Sequence, residues 1–221
     1  MVNRIMYMGF LFGLLFLTCC EGSSNEIQLL PEFAPTVERA CNPAPRKILF
    51  VGNSLTFTND LPLMVEKRAS AWGIPIGTDM LAFPNYALED HWFDGEMEKL
   101  IRTCRYEFVI VQQGPSSQGD GLEMLLNYGS KIKNLCDQYD TKLVFFMVWP
   151  AKINYHTFPG VIRNYTEAAG TTSSLLCPVG KAWKQHMDAT GDFSYYGPDG
   201  FHPSIKGSEL AARMLVETMY P

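Results

Sequence analysis

Short apolar runs alternate with amphipathic stretches along most of the chain. The apolar runs, each bounded by polar or turn-forming residues, predict strands at residues 47–52, 76–83, 107–112, 142–149 and 174–179. Apolar positions at helical spacing predict helices at residues 61–72, 88–104, 121–139, 158–169, 180–188 and 204–219. Short, nearly all-apolar strands separated by helices indicate a parallel sheet that is covered on both faces. The pattern therefore predicts an α/β fold.

Several polar residues lie where such a sheet would bind a ligand. Ser54 follows the first strand, Gln112 and Gln113 end the third, and Asp199 and His202 lie in the loop before the last helix. Ligands of open parallel sheets bind beyond the carboxyl ends of the strands. These residues are therefore the candidates for a functional site.

Asp199 and His202 stand three residues apart in one tight loop. A serine hydroxyl becomes a good nucleophile when a base takes its proton, and that base must be held in one tautomer by a carboxylate or carbonyl. The loop supplies both groups if Asp199 meets the ring nitrogen that faces away from Ser54. The alternative is that Asp199 only turns the chain before Gly200 and that His202 is a surface residue.

Two segments resemble motifs of the SGNH (GDSL-type) hydrolases, and particularly those of a bacterial lipoprotein member. GNSLT at residues 52–56 resembles the first motif, with Asn53 where the family often has Asp. DGFHP at residues 199–203 resembles the last motif and stands just before the C-terminal helix. The resemblance extends over almost the whole chain after residue 46. It implies a flavodoxin-like, three-layer α/β/α sandwich.

The resemblance also implies the catalytic roles. Ser54 would be the nucleophile, His202 the base, and Asp199 the partner that orients this base. Chemistry of this kind requires no metal and no organic cofactor. The implied activity is hydrolysis of a carboxylic ester through an acyl-enzyme.

The oxyanion hole implied by the resemblance rests on two motifs that depart from the family pattern. Pro84 and Asn85 stand where bacterial members have glycines. Asn85 is the predicted backbone donor, because Pro84 has no N–H and Asn tolerates the left-handed conformation of a glycine. Gln112 stands where related esterases carry a donor Gln, with Gln113 as second choice. The alternative is that this Gln satisfies loop carbonyls.

Three more residues are assigned by position. His91, Trp149 and Gln113 are predicted to contact substrate, since an aromatic wall at the end of a strand suits a sugar. In the alternative, His91 is a structural hydrogen-bonding residue and Trp149 belongs to the core. Asp60, directly before Leu61-Pro62, is a predicted helix N-cap.

The net charge and the cysteine content limit the classes of partner and metal site that the sequence supports. A net charge of -5 and the lack of any Lys/Arg cluster argue against a nucleic-acid partner. Of the six cysteines, those outside the first twenty residues form no CxxC pair and no cluster with His, which gives no support for a zinc site. Cys104, Cys136 and Cys177 are predicted to be buried free thiols, although pairing cannot be read from the sequence.

Residues 1–20 form a predicted lipoprotein signal peptide. Arg4 precedes an apolar run that is shorter than the about 18 residues of a spanning helix. The run leads into LTCC, which resembles a bacterial lipobox in which Cys20 carries the lipid. A plain cleaved signal and an uncleaved anchor helix are the alternatives. Residues 21–46, rich in Ser, Asn, Glu and Pro, are a predicted flexible tether. Residues 47–221 then form the hydrolase-like domain.

These predictions give an exported esterase that is lipid-anchored in the bacterial cell envelope, on the periplasmic or the cell-surface side. Among esters, O-acetyl groups on a carbohydrate are favoured, from the Gln variant and the export signal. One alternative is a lipase or thioesterase that acts on longer acyl chains. The other is a surface lipoprotein that binds glycans on the same scaffold without turnover.

Overall fold

A parallel five-stranded sheet forms the centre of the protein. The computed structural model describes residues 41–221, and its strands are β1 (Lys47–Gly52), β2 (Gly77–Ala82), β3 (Phe108–Val111), β4 (Lys142–Phe146) and β5 (Leu175–Cys177). Their order is β2-β1-β3-β4-β5, and every neighbouring pair is parallel. This is the flavodoxin-like order, in which the chain reverses its direction across the sheet between β1 and β3.

Helices cover both faces of the sheet. In the described region they are α1 (Ser54–Phe57), α2 (Leu61–Ala71), α3 (Leu88–Asp94), α4 (Glu96–Cys104), α5 (Gly119–Gln138), α6 (Phe158–Thr171), α7 (Val179–Thr190) and α8 (Ile205–Met219). Short 3-10 turns at Thr58–Asp60 and Lys152–Thr157 precede α2 and α6. Helix α2 packs on α8, and α5 packs on α3 and α6. The three-layer α/β/α sandwich predicted from the sequence is confirmed.

The central strands are buried on both of their faces. Ile48, Leu49, Phe50 and Val51 of β1 have no solvent exposure. Strand β2, at the edge of the sheet, instead alternates between buried and partly exposed positions. Burial on both faces explains why the central strands are continuous apolar runs in the sequence.

The observed bounds of two elements differ from the predicted ones. The helix predicted at residues 88–104 is two helices, because Gly95 adopts a left-handed conformation, with φ of 73°, and ends α3. The strand predicted at residues 142–149 pairs only as far as Phe146, although residues 147–149 remain fully buried. An apolar run therefore marks burial in this chain better than it marks sheet pairing.

Asp60 precedes α2 as predicted, but its side chain caps no N–H of that helix. Its backbone lies in the left-handed region, with φ of 54° and ψ of 53°. A side-chain N-cap is typical of extended backbone, from which the carboxylate reaches the first turn. The predicted capping bond is therefore wrong.

A disulfide joins Cys41 to Cys104 at the end of α4. The prediction of a free thiol at Cys104 is wrong, because its partner lies 63 residues earlier in a segment interpreted as tether. The predictions for Cys136 and Cys177 are confirmed, since both are free and buried. Burial raises the pKa of each of these two thiols to about 12.

Asn42 adds polar contacts beside this disulfide. Its backbone N–H donates to Asp79 Oδ2 at 3.3 Å, and its Nδ2 donates to the Thr78 carbonyl at 3.3 Å. Gly77 makes room for the asparagine, since a Cβ at residue 77 would lie 2.1 Å from Asn42 Oδ1. The segment that begins at Cys41 is thus fastened to the edge strand β2.

The remaining predictions about the N-terminus lie outside the described residues. These are the signal peptide, the lipidated Cys20 and the tether as far as residue 40. Within residues 41–221, each helix is too short or too polar to cross a membrane.

We expect the disulfide to stabilise the domain by constraining the unfolded chain. Disulfides typically contribute about 2–4 kcal/mol, and more when the loop they close is long. The Cys41→Ser/Cys104→Ser variant should therefore unfold at lower urea concentration than the wild type. Dithiothreitol should lower the wild-type midpoint and leave that of the double variant in place. A wild-type midpoint that is insensitive to the reductant would contradict the expectation.

Candidate active site

The candidate site lies at the carboxyl edge of the sheet, where β1 and β3 are neighbours. Ser54 begins α1, two residues after β1 ends, and its side chain is partly exposed. Gln112 directly follows β3. Ligands of open parallel sheets bind beyond the carboxyl ends of the strands at the point where the order of the strands reverses, as it does between β1 and β3. The fold thus places Ser54 where ligands of such sheets bind.

Asn53 shapes the turn that carries Ser54. Its Oδ1 accepts from Leu55 N at 3.1 Å, and its carbonyl accepts from Thr56 N at 2.8 Å and Phe57 N at 3.2 Å. These bonds satisfy the N–H groups of the first turn that follow Ser54. The N–H of Ser54 itself has no acceptor among residues 41–221. This N–H is therefore available to an oxyanion.

Gly52 is required by the space behind this turn. A Cβ at residue 52 would lie 2.4 Å from Thr56 Oγ1 and 2.5 Å from Gln112 Oε1. Both distances are far shorter than a van der Waals contact, so any larger residue would push Gln112 or the turn away. The buried strand β1 therefore ends on a glycine, two residues before Ser54.

Gln112 fixes the turn from behind and has no solvent exposure. Its Oε1 accepts from Asn53 N at 2.9 Å and from Thr56 Oγ1 at 2.9 Å, and its Nε2 donates to the Gln113 carbonyl at 2.8 Å. The Asn53 N–H can only donate, so the amide oxygen must face the turn. The geometry therefore gives no support to Gln112 as an oxyanion donor and matches the alternative, a Gln that satisfies loop backbone.

Gln113 also acts within the protein. Its Oε1 accepts from Leu88 N, at the start of α3, at 2.8 Å, and its side chain is nearly buried. Its Nε2 lies 2.9 Å from Met124 Sδ. The predicted contact with substrate is thus not supported, because both ends of the amide face protein atoms. Instead, Gln113 ties the start of α3 to the end of β3.

Asn85 occupies the turn between β2 and α3 in the conformation predicted for it. Its φ of 63° lies in the left-handed region, and the residue is exposed. Asn53 Nδ2 donates to the Tyr86 carbonyl at 3.0 Å and thereby joins this turn to the Ser54 turn. The Asn85 N–H has no acceptor among the described residues. Its role as an oxyanion donor stays a prediction that this geometry permits.

Asp199 and His202 meet in the loop before α8. Asp199 Oδ2 lies 2.6 Å from His202 Nδ1, and Asp199 Oδ1 accepts from Phe201 N at 2.9 Å and His202 N at 3.0 Å. The His202 bond, followed by the backbone bonds, lowers the pKa of the Asp199 carboxyl below its usual value. With Nδ1 engaged, Nε2 is the nitrogen left to exchange a proton.

The loop rests on Trp149. This side chain is fully buried, stacks on Trp183 with ring centroids 3.6 Å apart, and donates from Nε1 to the Phe201 carbonyl at 2.9 Å. The predicted role of Trp149 as a wall for substrate is wrong, because no part of it is exposed. The alternative, a core residue, is correct. Its indole N–H supports the loop from below.

His91 is likewise placed behind the site. It has no solvent exposure, and its Nε2 lies 2.8 Å from the Gly52 carbonyl. Its ring stacks on Phe83 and meets Tyr86 edge-on. The predicted contact with substrate is therefore wrong, and the structural alternative is correct. Its Nδ1 has no partner in the described part of the chain, so the neutral Nε2–H tautomer fits the site.

Asn59 is a site residue that the sequence did not single out. Its Nδ2 donates to the Pro203 carbonyl at 3.0 Å and to Ser208 Oγ at 2.9 Å. These bonds join the segment of Ser54 directly to the loop of His202. Ser54 Oγ itself makes no hydrogen bond with any residue in 41–221. Of the three predicted catalytic residues, the structure therefore shows a direct contact between Asp199 and His202, and it connects the segment of Ser54 to their loop through Asn59.

Other potential binding features lie apart from this edge. One surface groove runs between α2 and α8 and another between α6 and α7, and Ser54 lines neither of them. Within residues 41–221, no group of three or more His, Cys, Asp or Glu side chains is arranged to hold a metal ion.

Comparison with known proteins identifies the fold. No protein-family model and no curated protein sequence matches the chain. Among solved structures, a protein of Slackia heliotrinireducens assigned as an SGNH hydrolase has a TM-score of 0.67 at 22% identity, over 79% of this chain and 98% of its own. A variant of an acetyl-xylooligosaccharide esterase from a Geobacillus has a TM-score of 0.66 at 13% identity, over 82% of this chain and 97% of its own.

A lipase/acylhydrolase from Enterococcus faecalis has a TM-score of 0.63 at 17% identity, over 78% of this chain and 94% of its own. All three identities are low, so the similarity concerns the backbone. The chain therefore has the fold of the SGNH hydrolases.

We expect Gln112→Met to destabilise the protein. The substitution keeps the length of the side chain but leaves the buried Asn53 N–H and Thr56 hydroxyl without an acceptor. Each such group costs about 1–3 kcal/mol. The free energy of unfolding in urea should fall by about 2–4 kcal/mol, whereas Gln138→Met, on the exposed end of α5, should change it by less than about 0.5 kcal/mol. If Gln112→Met were as stable as the wild type but hydrolysed esters slowly, that result would instead support the predicted role of Gln112 as an oxyanion donor.

We expect His91 to make the fold sensitive to acid. Burial lowers the pKa of His91 below its usual 6.5, so the folded state holds it neutral where the unfolded chain already binds a proton. Its contribution to stability is complete above pH 6.5 and is lost below it, by up to about 1.4 kcal/mol per pH unit, until the folded pKa is reached.

Unfolding in urea at pH 7.5 and pH 5 measures this effect. The wild type should lose more stability between these two pH values than His91→Gln does. His156→Gln, which changes an exposed histidine in the 3-10 turn Lys152–Thr157, serves as the control and should follow the wild type. Equal losses for the wild type and His91→Gln would contradict the assignment.

Proposed function

We propose that this protein is a serine ester hydrolase that works through an acyl-enzyme and removes O-acetyl groups from a carbohydrate. The observation that carries the proposal is the Asp199–His202 pair, held 2.6 Å apart on a loop that Asn59 ties to the segment of Ser54. The SGNH hydrolase fold supports the same conclusion.

In the first half-reaction, Ser54 Oγ attacks the ester carbonyl while His202 Nε2 takes the hydroxyl proton. Asp199 holds the ring by Nδ1 and stabilises the imidazolium that forms. The carbonyl oxygen becomes an oxyanion, which the N–H groups of Ser54 and Asn85 meet. His202 then gives its proton to the leaving sugar oxygen, and the acyl group remains on Ser54.

In the second half-reaction, His202 takes a proton from water as this water attacks the acyl-enzyme. The oxyanion forms again at the same two N–H groups. Collapse of the intermediate releases the carboxylic acid and returns the proton to Ser54. The cycle consumes one ester and one water and needs no cofactor.

The choice of an acetylated carbohydrate rests on two supports. One structurally similar protein is an acetyl-xylooligosaccharide esterase, although another is a lipase/acylhydrolase. The predicted lipobox at Cys20 favours a lipid-anchored protein of the bacterial cell envelope, where a surface or periplasmic enzyme would meet glycans. We therefore propose this location together with the substrate, and longer acyl esters as the alternative.

A second candidate is a glycan-binding protein that does not turn its ligand over. The observation that favours it is the buried amide of Gln112, whose oxygen accepts from the turn of Ser54 and whose Nε2 donates to the Gln113 carbonyl, which leaves the N–H groups of Ser54 and Asn85 as the supported oxyanion donors. Loss of one such donor typically costs about 10²–10³ in rate. A site with two backbone donors would then be slow or silent.

Residues 21–221, purified without the signal segment, should hydrolyse p-nitrophenyl acetate. Ser54→Ala should abolish the reaction because no nucleophile remains, and Asp199→Asn should lower kcat by about 10²–10⁴ because the carboxylate no longer holds the ring. Ser70→Ala, on the exposed face of α2, is the matched control and should leave the rate unchanged.

Substrate choice is measured by acetate release from a panel of acetylated polysaccharides and by hydrolysis of esters of increasing chain length. Acetate release without cleavage of long-chain esters supports the proposed substrate, and the opposite result supports the lipase alternative. Failure to cleave any ester, with Ser54 unlabelled by a serine-directed phosphonate, would favour the glycan-binding candidate.

A further inference from the structure

Asn59 adopts an unusual backbone conformation between α1 and α2. It lies in the 3-10 turn Thr58–Asp60 with φ of 61° and ψ of 17°, and Asp60 follows with φ of 54°. Two consecutive non-glycine residues in the left-handed region carry a cost, although Asn and Asp bear it better than most residues. Such conformations persist where the surrounding structure holds them, and they cluster at functional sites.

The side chain of Asn59 shows what holds this turn. Its Nδ2 makes two long-range hydrogen bonds, to the carbonyl of Pro203 at 3.0 Å and to Ser208 Oγ at 2.9 Å. Pro203 directly follows His202, and Ser208 lies in the first turns of α8 with 1% exposure. Both hydrogens of the Asn59 amide are therefore donated to the segment that begins with His202 and continues into α8.

The other hydrogen bonds to the carbonyls of this loop have donors that lie outside the segment of Ser54. Lys152 N donates to Gly200 at 2.8 Å, Trp149 Nε1 donates to Phe201 at 2.9 Å, and Gly197 N donates to His202 at 2.7 Å. Lys152 and Trp149 follow β4, and Gly197 belongs to the loop itself.

Among residues 41–221, Asn59 alone makes hydrogen bonds between the segment of Ser54 and the loop of His202. Six residues before Asn59, the turn of Ser54 is fixed independently to β3 by Gln112. Asn59 is thus the point at which the two independently supported parts of the site are brought into register.

We propose that Asn59 is a positioning residue that sets the separation between Ser54 Oγ and His202 Nε2. This inference rests on the function proposed above. Asn59 touches neither the substrate nor the transferred proton, and it acts by fixing the backbone carbonyl next to His202. A displacement of about 1 Å between reacting groups can cost about 10² in rate, so removal of the amide should slow the chemical step.

Asn59→Gly is the informative variant, because glycine adopts φ of 61° without strain and so keeps the turn while it removes both hydrogen bonds. Asn59→Asp keeps the shape of the side chain but cannot donate to the Pro203 carbonyl. Ser208→Ala is the matched control, since it removes one acceptor and preserves the bond from Asn59 to Pro203.

The rate of p-nitrophenyl acetate hydrolysis is expressed per active site, counted by titration with a serine-directed phosphonate. Asn59→Gly and Asn59→Asp should lower kcat about 10- to 100-fold, with KM within about twofold of the wild-type value. Ser208→Ala should stay within about threefold of the wild-type kcat. A purely structural role would instead reduce the melting temperature and the number of titratable sites, with kcat per site unchanged.

A kcat per titrated site within twofold of wild type in Asn59→Gly would overturn the inference, as would equal losses in Asn59→Gly and Ser208→Ala. Failure of the proposed function is recognised separately, by a wild type that hydrolyses no ester. In that case the ring proton signals of His202, assigned by NMR with a His202→Gln variant, decide the matter. They should shift or broaden in Asn59→Gly and not in Ser208→Ala, and an unchanged spectrum of Asn59→Gly would refute the positioning role.

Discussion

The site depends on one buried hydrogen-bonded contact, between the Gln112 amide oxygen and the Asn53 N–H at 2.9 Å. It joins the end of β3 to the turn after β1, and Thr56 donates to the same oxygen from the next residues of α1. A buried N–H without an acceptor would cost about 1–3 kcal/mol, so the turn has a strong preference for this one position. The fully apolar strands beneath it provide the rigid base, because neither can move without opening the core.

The polar residues at the edge of the sheet form a supporting layer behind the candidate catalytic groups, Ser54 and His202. His91 and Asn53 hold the backbone of Gly52 and Tyr86, while Gln113 holds the start of α3 and Trp149 holds the loop of His202. Each of these side chains is buried, so its hydrogen bond is worth more than an exposed one and its loss costs more. Sites whose reactive groups are held by such a layer are pre-organised, and little rearrangement is needed when a substrate arrives.

The sequence predicted the fold well because the signal is repeated along the chain. A strand such as β1, buried on both faces, has no polar position, and its predicted and observed bounds agree. The direction of individual side chains at the strand ends could not be predicted. The sequence correctly placed Gln112 and Trp149 after strands. Their predicted roles required side chains that face a substrate, whereas the Gln112 amide oxygen faces the turn of Ser54 and Trp149 is buried against Trp183. The bond from Cys41 to Cys104 was equally invisible, since it depends on the approach of two segments 63 residues apart.

The Asp199–His202 pair owes its geometry to backbone contacts more than to its own attraction. The two side chains are 51% and 37% exposed, and an ion pair as accessible as this contributes little by itself. What fixes the carboxylate is the second oxygen, which accepts from the N–H groups of Phe201 and His202. What fixes the loop is a set of carbonyl contacts from Lys152, Trp149 and Asn59. His202 is therefore held through the backbone of its loop, while its ring remains partly exposed to solvent.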